Sequence, residues 1–178
     1  AGATGVVGKH LIPLLREGGH VVIGTTRSPE KAGQLRAQGV QPEILDALDR
    51  QATVSAVMRA RPDAIVHQLT AIPPNLNLRR FDREFALTNR LRTEGTDNLL
   101  AAARAAGVRR VVAQRFAGWT YERTGGPVKT EADPLDPDPP AAFRRTLDAI
   151  RYVEAALQAA EHTETTALRY GWFYGPAT

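Results

Sequence analysis

Apolar residues along this chain form short blocks, and between the blocks they recur every three or four positions, so two periodicities alternate from end to end. The blocks His20–Gly24, Val40–Leu45, Ala64–Leu69, Val108–Gln114 and Thr165–Tyr170 read as strands. The intervening segments predict helices over Gly8–Glu17, Glu30–Gln38, Arg50–Arg59 and Ala141–Ala160. From Phe81 to Ala106 the pattern is helical, with a long helix over Thr93–Ala106 that turns Leu99, Leu100 and Ala103 inward. Stop and start signals agree with these bounds. Gly18-Gly19, Gly39 and Gly107 close helices, Pro62-Asp63 breaks one, and Ser28 before Pro29 and Asp49 before Arg50 open the next ones. Strands alternating with helices in this way predict an α/β fold, a doubly wound parallel sheet with helices on both faces.

The chain has 178 residues and is 43% apolar, enough for one domain with a core and too little for two. The absence of cysteine excludes a disulfide scaffold, thiolate metal ligands and a cysteine nucleophile, and makes a reducing cytoplasm the expected compartment. No metal site is expected. The net charge is +4, but the arginines are scattered as pairs (Arg79-Arg80, Arg109-Arg110, Arg144-Arg145), so nucleic acid is not an expected partner. No apolar run approaches the roughly 18 residues that span a bilayer, so no membrane is expected either. The segment Asp133–Pro140 is a stiff, proline-rich loop.

The chemistry concentrates at the start. Gly2-Ala3-Thr4-Gly5-Val6-Val7-Gly8 places three glycines three apart and runs straight into a helix. Such a loop turns tightly, lets a pyrophosphate reach bare backbone, and aims the free N–H groups of the helix at it. A turn rich in small residues for structural reasons alone is the other reading of the triplet; the strand at Val21–Gly24 after the helix favours a dinucleotide unit. No apolar run precedes Ala1, so the first strand of that unit is expected to be missing and the chain to be a piece of a longer protein.

After the strand at Val21–Gly24, the position that selects the cofactor falls on Arg27. An acid there would accept from a ribose; an arginine offers a planar cation to a 2′-phosphate, so NADP is favoured over NAD, the alternative being that Arg27 merely begins a solvated loop. Asp46 is assigned to an adenine amino group and Asp49 to the cap of the next helix. Leu69 and Thr70 lie where a ligand crosses the end of a parallel strand. His67 is read as a buried histidine that finds its hydrogen bonds inside, and not as a base.

These residues resemble the short-chain dehydrogenase/reductase superfamily, in particular its extended branch of epimerases and dehydratases with their atypical relatives. The resemblance rests on Gly2–Gly8, on Asp46-Ala47-Leu48-Asp49, on Gly95-Thr96-Asp97-Asn98-Leu99-Leu100 followed by Ala105-Ala106-Gly107-Val108-Arg109, and on Leu168-Arg169-Tyr170-Gly171-Trp172-Phe173-Tyr174-Gly175-Pro176. It implies a Rossmann-type NAD(P)-binding domain over residues 1–178, incomplete at both ends, with a substrate domain normally following Gly175-Pro176. It also implies contacts to the cofactor from Gly2, Thr4, Gly5, Val6, Val7, Gly8, Ala47 and Tyr170.

The family's catalytic residues do not carry over. Its Tyr and Lys, four apart on a helix, fall on Phe143 and Leu147, and its Ser or Thr falls on Phe116; the only lysines are Lys9, Lys31 and Lys129. Phe143 and Leu147 also form one apolar stripe with Ile150 and Leu157, as a packed core helix would. The family's helix asparagine falls on Arg92, with Asn89 one turn earlier. Remaining candidates are Arg115, as a cation for a substrate carboxylate, phosphate or oxyanion, and then Thr120, Tyr121 and Tyr152.

The expected function is an NADP-dependent oxidoreductase or epimerase/dehydratase-like enzyme lacking the Ser-Tyr-Lys triad, acting on a small molecule. The alternative is a catalytically silent NADP-binding sensor; a third reading is that residues 1–178 alone bind nothing. The helices at Thr93–Ala106 and Ala141–Ala160 resemble those through which relatives form homodimers.

Overall fold

The computed structural model describes residues 1–73, 76–117 and 120–175. Its order is α1 (Val6–Glu17), β1 (Ile23–Thr26), α2 (Pro29–Ala37), β2 (Gln41–Ile44), α3 (Arg50–Ala60), β3 (Ala64–His67), α4 (Phe81–Glu84), α5 (Ala86–Arg92), α6 (Glu94–Ala106), β4 (Arg110–Phe116), α7 (Arg144–Gln158) and β5 (Glu164–Tyr170). Every pairing between these strands is parallel. β1 pairs with β2 from Ile23↔Gln41 to Thr26↔Ile44, and β4 pairs with both β3, from Ala64↔Arg110, and β5, from Arg110↔Glu164 to Phe116↔Tyr170. The fold is the α/β, Rossmann-type arrangement that the alternating pattern predicts.

The strands form two sheets, β1-β2 and β3-β4-β5. A cleft of about 840 Å³, lined by Val21–Ile23 on one side and Ala64–Val66 on the other, separates them. Ala1 adds to the β3 edge, its amino group donating to the Val66 carbonyl at 2.7 Å and its carbonyl accepting from Gln68 N at 3.0 Å.

Several element bounds move. Val21 and Val22 precede β1: the His20 N–H bonds back to Leu15 O and closes α1, and Val21, 80% exposed, borders the cleft between the two sheets. Val108 is 1% exposed but is not a strand residue: Gly107, at φ +66°, ends α6, and Val108 N returns to Ala103 O as the apolar closure of that end. The helical stretch from Phe81 is broken at Phe85 and Thr93 into α4, α5 and α6. The helix expected from Ala141 opens as a 3₁₀ turn, Ala141–Phe143, before α7. Asp82 of α4 caps α7, accepting from Arg145 N at 3.2 Å and Thr146 N at 3.1 Å.

The main core joins Val57, Ile65, Leu99, Ala102, Ala103, Val108, Val111, Ala113, Val153 and Leu157; a smaller one joins Ile12, Leu35 and Val40 beside the glycine loop. Among the described residues no helix is long and apolar enough to cross a membrane.

Candidate active site

The glycine loop is built so that side chains are impossible at two of its three glycines. Gly2 has φ +85°, and a Cβ there would lie 2.5 Å from Gln68 O; a Cβ on Gly8 would lie 2.4 Å from Ala3 O and 2.6 Å from Gly2 O. Gly5 is different. Its nearest obstacle is Gly2 O at 3.4 Å, so the protein itself has room for a side chain, and glycine leaves bare backbone facing outward. Gly5 is also the N-cap of α1, which has no side-chain cap and no acid in its first turn. By contrast α2 is capped by Ser28, which accepts from Lys31 N at 3.2 Å, and α3 by Asp49, which accepts from Ala52 N at 2.9 Å. The uncapped, half-positive end of α1, with the N–H groups of Val6, Val7 and Gly8 open, fits a pyrophosphate. Thr4 lies within this loop, between Gly2 and the cap.

The other sequence-predicted cofactor residues follow the ends of successive strands. Arg27 comes directly after β1, is exposed, and makes no hydrogen bond or ion pair with any described residue. Asp46 follows β2, its Oδ1 accepting from Leu48 N at 3.0 Å in a tight turn, while Asp49 performs the capping role expected of it. Ala47 is 5% exposed and its carbonyl accepts from the buried Asn98 amide at 2.9 Å, so α6 holds the turn that presents Asp46. Leu69 and the exposed Thr70 follow β3. Tyr170 ends β5; its hydroxyl accepts from Gln68 Nε2 at 3.4 Å, its ring meets Phe173 edge-on at 5.3 Å, and its carbonyl accepts from Ala117 N at 2.7 Å. Gln68 was not singled out by sequence. It sits between Gly2 and Tyr170, and its buried Oε1 has no partner among the described residues. Pro176 of the closing turn, and Gly118 and Trp119 after β4, lie outside the described residues.

Phe116, Phe143 and Leu147, the three triad positions, come together. They line one cavity of about 210 Å³ with Phe81, Ile150 and Thr146, and none of the described lining residues is a tyrosine, lysine, histidine or carboxylic acid. Thr120 also lines it, its hydroxyl donating to Ala117 O at 3.3 Å.

Arg115, read from the sequence as a cation facing a ligand, is turned the other way. It is wholly buried on the same face of β4 as Val111 and Ala113, where its Nε donates to Glu154 of α7 and Nη1 to Phe116 O at 3.1 Å. Glu154 also takes Arg169, through Nε at 2.8 Å and Nη2 at 3.2 Å, and Arg169 Nη1 donates to Tyr121 Oη at 3.2 Å. Burial lowers the Arg115 pKa against the opposing pull of Glu154. Arg92 is 2% exposed, over the Phe85 ring at 5.7 Å and with no carboxylate beside it among the described residues; burial and the Arg115 charge lower it to about 10, so it stays a cation at neutral pH. Tyr152 lies outside the cavity, its hydroxyl donating to Asp97 at 2.7 and 2.8 Å, a contact that raises its pKa.

His67 is buried as expected, with Nε2 3.0 Å from Thr96 Oγ1 and Nδ1 accepting from Leu69 N at 3.3 Å. Desolvation, then the N-terminal and Arg92 charges, push it down to about 3. It is therefore neutral in the folded protein at neutral pH. Because the unfolded chain protonates near pH 6.5 and the folded one does not, His67 stabilises above that pH, and this contribution erodes as pH falls from 6.5 toward 3. An NMR titration is expected to show no His67 inflection between pH 4.5 and 8; an inflection near 6.5 would contradict the burial.

Residues 2–178 match the family described as NAD(P)H-binding. The chain belongs to that family. It is 45% identical over its whole length to the 3-diazoavenalumate denitrifying reductase of a Streptomyces species, covering 56% of that protein. It is 35% identical over 62% of its length to 4-hydroxy-2-methyl-3-oxo-4-farnesyl-3,4-dihydroquinoline-1-oxide ketoreductase of Stigmatella aurantiaca, covering 30% of it. The fold superimposes on the UDP-glucose 4-epimerase of Thermus thermophilus in complex with NAD (TM-score 0.74, 24% identity, 99% of this chain and 55% of that one). It superimposes equally on yeast methylglyoxal/isovaleraldehyde reductase complexed with NADPH (TM-score 0.75, 19% identity, 98% and 57%). The chain thus spans about half the length of the first of these relatives and of both solved structures. It is a member of an NAD(P)H-binding family, and reductases are among the proteins it resembles.

Proposed function

We propose that this chain is the cofactor-binding half of an NADP(H)-dependent reductase whose acceptor takes a hydride without a proton from the protein. The observation that supports the reading is the cavity where Phe116, Phe143 and Leu147 meet, with no carboxylic acid, tyrosine, lysine or histidine among its described lining residues. The α1 N-terminus would hold the pyrophosphate, Arg27 a 2′-phosphate, Asp46 the adenine amino group, and the Tyr170 turn the nicotinamide end. Bound there, the reduced dinucleotide supplies a hydride. Reduction of a ketone would also need a proton, ordinarily from a tyrosine whose pKa of about 10 a neighbouring cation lowers. A carbon bearing a diazonium group needs none: the C–H bond forms with the hydride pair, the C–N bond breaks, and its pair leaves with dinitrogen. A relative named as a denitrifying reductase of a diazo compound supports this choice.

The test uses the full-length protein. Calorimetry is expected to show NADPH binding that Arg27→Ala weakens about tenfold while NADH binding is unchanged. With NADPH deuterated at the transferred position and benzenediazonium as probe, the expected products are deuterated arene and dinitrogen in equal amounts, at a rate unaffected by D₂O. Binding without turnover would favour the silent sensor, and no dinucleotide binding would remove both readings.

A further inference from the structure

The cavity between β4 and α7 has a lining that selects among acceptors. Phe81 and Phe143 meet at 4.3 Å between ring centroids, tilted by 42°; Phe116 closes another side, with Trp172 edge-on behind it at 5.0 Å; Leu147 and Ile150 complete an apolar wall. Its two hydroxyls are already engaged. Thr146 donates to Asp82 Oδ1 at 2.9 Å and accepts from Asn89 Nδ2 at 3.0 Å, and Thr120 donates to a backbone carbonyl. A sugar ring placed here would find few partners for its hydroxyls, since both threonine protons are committed, and each buried unpaired polar group costs about 1–3 kcal/mol. Size points the same way. An apolar cavity of about 150 Å³ accepts benzene, so 210 Å³ has room for one substituted ring. The position is also apt, since Phe116 is the register partner of Tyr170, whose turn borders the nicotinamide end of the proposed cofactor path. Arg123 is the only charged side chain among the described lining residues, and it is exposed.

We infer that this cavity seats the acceptor's own aromatic ring, so that the substrate class is a planar aromatic carboxylate whose ring lies among Phe81, Phe116 and Phe143 and whose carboxylate reaches Arg123. The assignment rests on the reductase reading above. Aromatic edges and faces supply offset contacts to such a ring, and an arginine fork at the rim suits a carboxylate.

The experiment loads the full-length protein with NADP⁺, which permits no turnover, and titrates it with cinnamate, cinnamyl alcohol and UDP-glucose. Cinnamate is expected to bind and UDP-glucose not to. Phe143→Ser is expected to weaken cinnamate at least tenfold with NADP⁺ affinity unchanged. Arg123→Ala, on an exposed loop where folding is not at stake, is expected to weaken cinnamate about tenfold and cinnamyl alcohol less than twofold. NADP⁺ binding without cinnamate binding, UDP-glucose binding at this cavity, or cinnamate affinity indifferent to Arg123→Ala would overturn the aromatic-carboxylate assignment and leave the reductase reading standing. Failure of NADP⁺ itself to bind would overturn both.

Discussion

Gly8→Ala is expected to destabilise the full-length protein by about 2–3 kcal/mol and to abolish dinucleotide binding, whereas Gly5→Ala costs no more than about 1 kcal/mol and still weakens the dinucleotide at least tenfold. The contrast follows from what each Cβ meets. At Gly8, inside α1, alanine gains about 1 kcal/mol of helix propensity. That gain is outweighed, because the new atom lies 2.4 Å from one backbone carbonyl and 2.6 Å from another, and backbone has no rotamer to escape into. The loop must open, and the N–H groups of α1 lose their common focus. At Gly5 the φ of −78° suits any residue and the nearest atom is 3.4 Å away, so the protein tolerates the methyl group; only a ligand seated on the bare backbone would not. Denaturant unfolding and calorimetric titration of both variants separate the two effects. Unchanged NADPH affinity in Gly5→Ala would show that the dinucleotide does not sit against this loop.

The second large effect is expected at Glu154. Its replacement by alanine is expected to cost about 3–5 kcal/mol, because removing one member of a buried ion pair leaves an uncompensated charge behind, and here Arg115 is wholly buried. Glu154→Leu combined with Arg115→Met is expected to recover part of the loss, since the desolvation penalties of Arg115 and Glu154 vanish together, while Arg169 still loses its carboxylate. Acid should act on the same carboxylate. Burial draws the Glu154 pKa up, but the hydrogen bond from Arg169 and the charge of Arg115 outweigh it and leave the net value below the usual 4.5. A folded-state pKa below the unfolded one means that the stabilisation is complete above about pH 4.5 and is lost as pH falls through the lower, folded value. Urea midpoints measured from pH 7 to pH 3 are expected to fall more steeply at the acid end for wild type than for the Glu154→Leu, Arg115→Met protein. Parallel curves would mean that the pair carries no pH-dependent stability.

What the sequence shows in advance is whatever is local. The glycine spacing, the caps at Ser28 and Asp49, and the alternating periods each sit within one turn or one strand, and each has its counterpart in the structure. The features that escaped it join distant parts of the chain. Asp82 caps a helix that starts more than 60 residues later, Asn98 reaches Ala47 across 51 positions, and Glu154 binds Arg115 across 39. No periodicity reports a partner at that distance. Arg115 is an instructive case, because its charge is plain but its direction is not. Direction was available from parity: in a strand, residues two apart share a face, so Arg115 points with Val111 and Ala113 into the core. Phe116, Phe143 and Leu147 were legible as apolar residues at the positions that the resemblance assigns to catalysis, but only packing shows that they line one space of about 210 Å³.

Two neighbours on α6 give that helix a mechanical part. Asn98 grips the turn that presents Asp46, and Asp97, the residue before it, grips Tyr152 of α7, the helix that walls the apolar cavity with Leu147 and Ile150. One helix is therefore tied at adjacent residues both to the turn at Asp46–Ala47 and to α7. On the proposed reading, the adenine seat at Asp46 and the ring seat share a single strut, so a small tilt of α6 would change the span between them.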